Sequence, residues 1–244
     1  MIVSFVIIGA IFFYLTKQQI NLGFSNIWQG VWAELVRIGL FRLDKKVDAT
    51  DRKNWRPNIL LFSGEKSKRS HLVDFGQALV GRLGVVSSFE LIENETPAAP
   101  LTKAEQSVET GQLPGMFFRR FQCNNIYDGI GIIAETFGFS GMDPNTVLMG
   151  WARYSSSPSD FTKLIKRFHK LDHNILIMDY DQRYGFGNYS TVDIWWNGEG
   201  RHISFALTML RFLTANDDWR KSQVRLFIML DKSRINSMEV YKRM

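Results

Sequence analysis

Asn54-Trp55-Arg56-Pro57-Asn58-Ile59-Leu60-Leu61-Phe62-Ser63-Gly64 is the stretch on which the reading of the whole chain turns. Ile59 to Phe62 are consecutive apolar residues held between Pro57-Asn58 and a Ser-Gly pair, a run too short for a helix. A strand with one wet face alternates apolar and polar residues, whereas one covered on both faces reads as an unbroken apolar run. Pro57 fixes the chain at the strand's entry, where no central ladder bond is asked of it. Asn58–Phe62 is therefore expected to be a buried strand ended by Ser63-Gly64.

Working outward, helical and strand patterns alternate. Ser70-His71 opens a helix that carries Leu72, Phe75, Leu79 and Leu83 inward, and Val85–Leu91 is a second strand. Beyond a loop with Pro97 and Pro100, Leu101–Gly111 reads as a polar helix and Phe117–Gln122 as a strand. A helix at Ile126–Phe137 ends at Gly138, and Pro144-Asn145 turns into the strand Thr146–Gly150. Ser157-Pro158 starts a helix carrying Phe161, Leu164, Ile165 and Phe168, since proline at the first helical position forfeits no bond. Strands at Asn174–Met178, Thr191–Trp196 and Gln223–Leu230, a helix at His202–Leu213 and a helical start at Ile235–Met244 complete the pass. This alternation predicts an α/β fold with largely parallel sheets covered by helices on both faces. Two halves are expected, residues 56–150 and 151–244, with the Gly- and Tyr-rich loop Asp181–Tyr189 a candidate divider.

The N-terminal quarter is different. Ile2–Leu15 is apolar throughout, but as a helix it would rise only ~21 Å against a hydrocarbon core of ~30 Å. No basic residue precedes it and no small-x-small site follows, which opposes a signal peptide. Lys17, Arg37, Arg42, Lys45, Lys46, Arg52, Lys53 and Arg56 come after, and basic residues beyond an apolar helix mark its cytoplasmic end. Residues 1–20 read as the end of a longer membrane-crossing helix, with an uncleaved anchor, a signal peptide and a core helix as the alternatives. Residues 21–55 follow as an amphipathic connecting helix and linker. There Ile27, Trp28, Val31, Trp32, Leu35 and Ile38 recur at spacings of three and four, with Gln29, Glu34, Arg37 and Arg42 mostly off the stripe. Trp28, Trp32, Leu35 and Arg37 are the candidate membrane-interface residues, and docking on the soluble body is the equal alternative.

Composition narrows the function classes. The 244 residues are 45% hydrophobic and 22% charged, which excludes a wholly membrane-embedded chain. Cys123 is the single cysteine, so no intrachain disulfide forms and a reducing compartment fits. The net charge of +6 is not gathered into a basic, aromatic-interleaved stripe, so no nucleic-acid partner is expected.

Specific stretches carry a resemblance. Asn54, Trp55, Arg56 and Pro57 open a run similar to N-[FW]-R-P-x-[CVI]-L-x-[LF]-[TS]-G, and Pro144-Asn145-Thr146-Val147-Leu148-Met149-Gly150 is similar to K-P-N-T-[LV]-[VL]-[LM]-G. Asp193-Ile194-Trp195-Trp196 fits D-[VI]-W-W, and Trp219 with Val224-Arg225-Leu226-Phe227-Ile228 resembles W…[IV]-R-[VL]-F-I. Trp195 and Trp196 should point to opposite faces of their strand, one burying in the core and the other packing under a helix or at an interface. With the amphipathic helix around Trp28, Leu35 and Leu43, five matches in order resemble the C-terminal cytoplasmic domain of the cation-chloride cotransporter family, in a prokaryotic-type member. The turn Asn197-Gly198-Glu199-Gly200-Arg201-His202 departs from it, being shorter and less acidic than the family's.

The resemblance implies a universal-stress-protein-like fold and a regulatory, dimerising cytoplasmic domain. The parent would be a cell-membrane transporter that symports Na⁺ and/or K⁺ with Cl⁻. It implies no enzymatic activity and no cofactor. Its partners would be the transmembrane bundle of the same protein, the lipid bilayer and a second copy, with residues after about 17 in the cytoplasm. A membrane-tethered nucleotide sensor or enzyme, and a domain of an amino-acid permease-type transporter, are the rival readings.

Other chemistry is sparse. Gly129-Ile130-Gly131-Ile132-Ile133-Ala134 fits G-x-G-x-x-A, but the residues before it already look helical, so helix packing is expected rather than a phosphate cradle. His169 and His173 are spaced for one helix face, without the glutamate of H-E-x-x-H and amid Lys166, Arg167 and Lys170, so no metal site is expected. Gly138-Phe139-Ser140-Gly141 reads as a helix cap plus turn, Cys123 as a small buried residue, and Lys66, Lys68 and Arg69 as a solvated run.

Overall fold

A computed structural model describes residues 24–44, 55–64, 69–80, 83–93, 113–139, 141–151, 157–197, 200 and 202–229. The apolar run 2–15, Asn54, Lys66, Lys68 and the helices expected at 101–111 and 235–244 lie outside them. The chain divides into two compact units, one formed by residues 1–51 with 138–143 and the other by the remainder.

In the first unit, helix α1 (Phe24–Asp44) matches the amphipathic stripe. Glu34 and Arg37 form an ion pair on its polar side. No helix among the described residues is long and apolar enough to cross a membrane.

The second unit is the α/β body. Strand β1 (Asn58–Phe62) is followed by α2 (Ser70–Val80), β2 (Val85–Glu93), β3 (Met116–Cys123), α3 (Ile126–Thr136), β4 (Thr146–Gly150), α4 (Pro158–Lys170) and β5 (Asn174–Met178). These strands form one five-stranded sheet in the order β3-β2-β1-β4-β5, parallel at every pairing. Strand β6 (Thr191–Trp196), helix α5 (His202–Leu213) and strand β7 (Gln223–Ile228) form a second parallel pair. The boundary expected at 150/151 runs through the first sheet, because α4 and β5 complete it; the change of sheet falls in the connection 179–190.

The continuous run at 59–62 is explained by two cores. Ile59 and Leu61 face α2 and α5, meeting Leu72, Leu79, Met209 and Leu213. Leu60 and Phe62 face α3 and α4, meeting Ile130, Ile133, Leu164 and Phe168. Ile59, Leu60 and Leu61 are all 0% exposed, each side chain contributing about 1.5–3 kcal/mol on burial.

Local chemistry sets the ends. Asn125 caps α3, its Oδ1 accepting from the backbone N–H of Tyr127 at 2.8 Å and of Asp128 at 3.2 Å. Pro158 takes the first turn of α4, and Arg167, His169 and Lys170 fill its last turn, where positive charge suits the carbonyl end.

Three expectations are corrected. Leu83 is exposed, because α2 stops at Val80 and the N–H groups of Leu83 and Gly84 turn back onto the Val80 carbonyl. His169 and His173 do not share a helix face: α4 ends at Lys170, Asp172 takes a φ of 58°, and His173 turns inward to Phe168 and the Ala134 carbonyl. Neither Trp195 nor Trp196 is fully buried; Trp195 is 65% exposed and stacks on Phe227 with centroids 4.5 Å apart.

Candidate functional site

The matched sequence stretches meet in pairs. Asn145 is central: its Nδ2 donates to the Arg56 carbonyl at 2.7 Å, and its Oδ1 accepts from the Asn58 N–H at 3.2 Å and the Thr146 hydroxyl at 2.8 Å. Its backbone N–H donates to Asn58, and its carbonyl accepts from the N–H and side chain of Asn174. One asparagine thus ties together the amino ends of β1, β4 and β5. Pro57 is buried beside it, its carbonyl accepting from Val85 at 3.0 Å, and Trp55 packs against Phe205 and Phe212 of α5.

The second pairing lies across β6 and β7. Asp193 stands opposite Arg225 in register, and two N–H groups of the guanidinium donate to the two carboxylate oxygens, each at 2.7 Å. Hydrogen bonding from Arg225 holds the Asp193 carboxyl below its ordinary range. Arg225 also lies over the Phe227 ring. These groups brace the sheets. Gly150 has room for a methyl group, since a Cβ there would lie 3.5 Å from the Arg69 guanidinium and 3.6 Å from Leu72.

The G-x-G-x-x-A stretch is helix packing, as its sequence context indicates. Gly129 lies inside α3, and a Cβ there would come within 2.9 Å of Cys123 and Leu91. Gly131 lies under the Arg167 guanidinium, which pairs with Glu135 and, chiefly by hydrogen bonding, lowers that carboxyl's pKa. Burial, with Glu93 next, pushes the Cys123 thiol up, as suits a small packed residue rather than a nucleophile.

A feature the sequence did not reveal lies at the opposite end of the sheet. From β1 the chain runs outward to β2 and β3, and from β4 outward to β5, so the strand order reverses between β1 and β4. Parallel sheets bind ligands outside the carboxyl ends of strands at such a reversal. A cavity of about 730 Å³ opens there, lined among others by Arg69, His71, Trp151, Tyr180 and Arg183. His71 and Tyr180 stack face to face with centroids 4.1 Å apart. Burial, and after it the Arg69 charge, lowers the His71 pKa, favouring the neutral ring. Arg183 is held by Asp181 and lies over Tyr184. Arg69 beside a flat aromatic stack suits a planar molecule with an anionic group, while Arg183 is taken by Asp181 and Asp179 also lines the cavity. Among the described residues, no cluster suits a metal ion.

Of the interface candidates, Trp28, Trp32 and Leu35 are 59%, 61% and 53% exposed along one stripe of α1, with Arg37 on the other side.

This architecture defines a doubly wound parallel α/β domain. No protein-family model matches the chain. Among solved structures, it is similar to the crystal structure of the cytoplasmic domain of a prokaryotic cation chloride cotransporter. The TM-score is 0.51 and the identity 14%, over 78% of this chain and 76% of that one. The likeness is one of fold.

Proposed function

We propose that this chain is the cytoplasmic regulatory and dimerising domain of a membrane transporter of cation-chloride cotransporter type, which symports Na⁺ and/or K⁺ with Cl⁻. The supporting observation is the meeting of the matched stretches: Arg56-Pro57 with Asn145, and Asp193 with Arg225, at structural joints of a domain whose fold is that of such a cotransporter's cytoplasmic part. In this reading residues beyond about 17 lie in the cytoplasm under the transmembrane bundle. Helix α1 rests Trp28, Trp32 and Leu35 against the bilayer interface or the bundle, with the Glu34–Arg37 pair toward water. Shifts of the last membrane helix are then passed to the body through α1. The chain performs no catalysis; its task is to hold two copies together and bias the transport cycle. Sedimentation of the chain at high concentration tests the association: a dimer is expected, and a monomer throughout would remove that part of the proposal.

A second reading, a nucleotide sensor, is favoured by the cavity beside Arg69 and Arg183 rather than by the glycines of α3. A thermal shift with ATP or ADP that disappears in Arg69→Ala would support it. Gly131 is no probe of it, because a side chain there displaces Arg167 in any case. The amino-acid permease reading is separated from the first by flux measurement.

A further inference from the structure

Gly141 lies in the turn between α3 and β4 with a φ of 79°, the left-handed region that favours glycine. Its surroundings demand glycine a second time. A Cβ there would lie 2.6 Å from the backbone nitrogen of Asp44 and 2.7 Å from the carbonyl carbon of Leu43. Both are backbone atoms of the last turn of α1, so no rotamer change relieves the clash. Gly64 and Gly187 share the backbone region, each with a φ of 64°, yet have nothing within 4 Å.

Burial along α1 gives independent support. Over residues 28–44 only Gly39 and Leu40 are half-buried, while Trp28, Trp32, Leu35 and their neighbours are exposed. These two half-buried positions lie one turn before Leu43 and Asp44, whose backbone meets Gly141 although both residues are exposed. The turn is braced for this, with the Met142 N–H donating to the Phe139 carbonyl at 2.7 Å. It runs directly into Pro144-Asn145, the residues that join the amino ends of β1, β4 and β5.

We propose that the turn 138–143 is a clasp, with Gly141 as its contact point, that fixes the C-terminal turn of α1 and leaves the Trp28–Leu35 stripe open. The clasp provides a fixed pivot for the N-terminal part of α1. Its use in transport rests on the proposed function; the clasp itself does not.

Hydrogen exchange on the whole chain in mild detergent tests it. In the unmodified chain the amides of residues 39–44 are expected to exchange more slowly than those of 28–36, against the usual fraying of a helix end. Asparagine tolerates a positive φ, so Gly141→Asn isolates the steric contact. It is expected to speed exchange at 39–44 by about tenfold or more, with β1 and β4 unchanged, whereas Gly187→Asn leaves α1 as it was. Faster exchange at 39–44 than at 28–36 in the unmodified chain would overturn the clasp. So would a Gly141→Asn chain that keeps wild-type protection in α1, or an equal loss in Gly187→Asn. Ion flux plays no part in the readout, so failure here and failure of the transporter reading are distinguishable.

Discussion

Replacing Asn145 by alanine removes three side-chain hydrogen bonds at once: to the Arg56 carbonyl, from the Asn58 N–H and from the Thr146 hydroxyl. The backbone bonds of residue 145 to Asn58 and Asn174 remain, so the turn keeps its path. Taking about 1 kcal/mol for each net hydrogen bond gives a loss of about 3 kcal/mol. The Thr146 hydroxyl belongs to a residue that is 0% exposed, and leaving it without Asn145 places the loss toward the upper part of a range of about 2–4 kcal/mol. Urea denaturation followed by circular dichroism measures it, through a lower midpoint at unchanged slope. Asn145→Asp keeps the two acceptor roles but turns a donor into a carboxylate facing the Arg56 carbonyl, so it is expected to be no better than alanine. An Asn145→Ala chain within about 0.5 kcal/mol of wild type would refute the claim that this residue joins the three strand ends.

The two glycines of α3 are expected to respond differently. Gly129→Ala meets Cys123 and Leu91 and costs about 1–3 kcal/mol, while Gly131→Ala displaces only the mobile end of Arg167 and stays within about 1 kcal/mol of wild type in the same denaturation assay. Asp193, with its folded pKa lowered, contributes stability that is fully present above the ordinary aspartate value and is lost as pH falls through the folded one. Acid titration of unfolding midpoints should show that component, and Asp193→Asn should lack it. His71, also lowered, contributes stability that is complete above the ordinary histidine value and declines as pH falls through the folded one; His71→Phe keeps the stack on Tyr180 and should flatten that part of the pH profile. In a peptide of residues 24–44, Trp28→Ser or Trp32→Ser is expected to weaken partitioning into anionic vesicles about tenfold, read by centrifugation binding.

Much of the body was legible in the sequence because burial on both faces leaves an unmistakable run. Ile59–Phe62 and Val147–Met149 are such runs, and both lie in central strands. The start of α4 was legible locally, from Pro158 in its first turn. Strand β2 runs on to Glu93, past the apolar pattern, because β3 continues beside it and Glu90 pairs with Arg120. Leu83 was misplaced because helical spacing continues past Val80 while the backbone does not. The motifs were visible as strings, but their pairing was not: Asn145 meets Arg56 across 89 positions, and Asp193 meets Arg225 across 32. The cavity was hidden likewise, since Arg69 and His71 reach Tyr180 and Arg183 only through strand order. An arginine and a histidine opening a helix after a central strand, with a Tyr- and Arg-bearing loop after β5, is the pattern that would have located it.

The central claim is tested most directly by reconstituting the protein encoded by the complete gene in liposomes and following rubidium and sodium entry with and without chloride. Cation uptake that requires chloride on the same side, and chloride uptake that requires the cation, is the predicted result. Uptake indifferent to chloride, or uptake of amino acids alone, would contradict it.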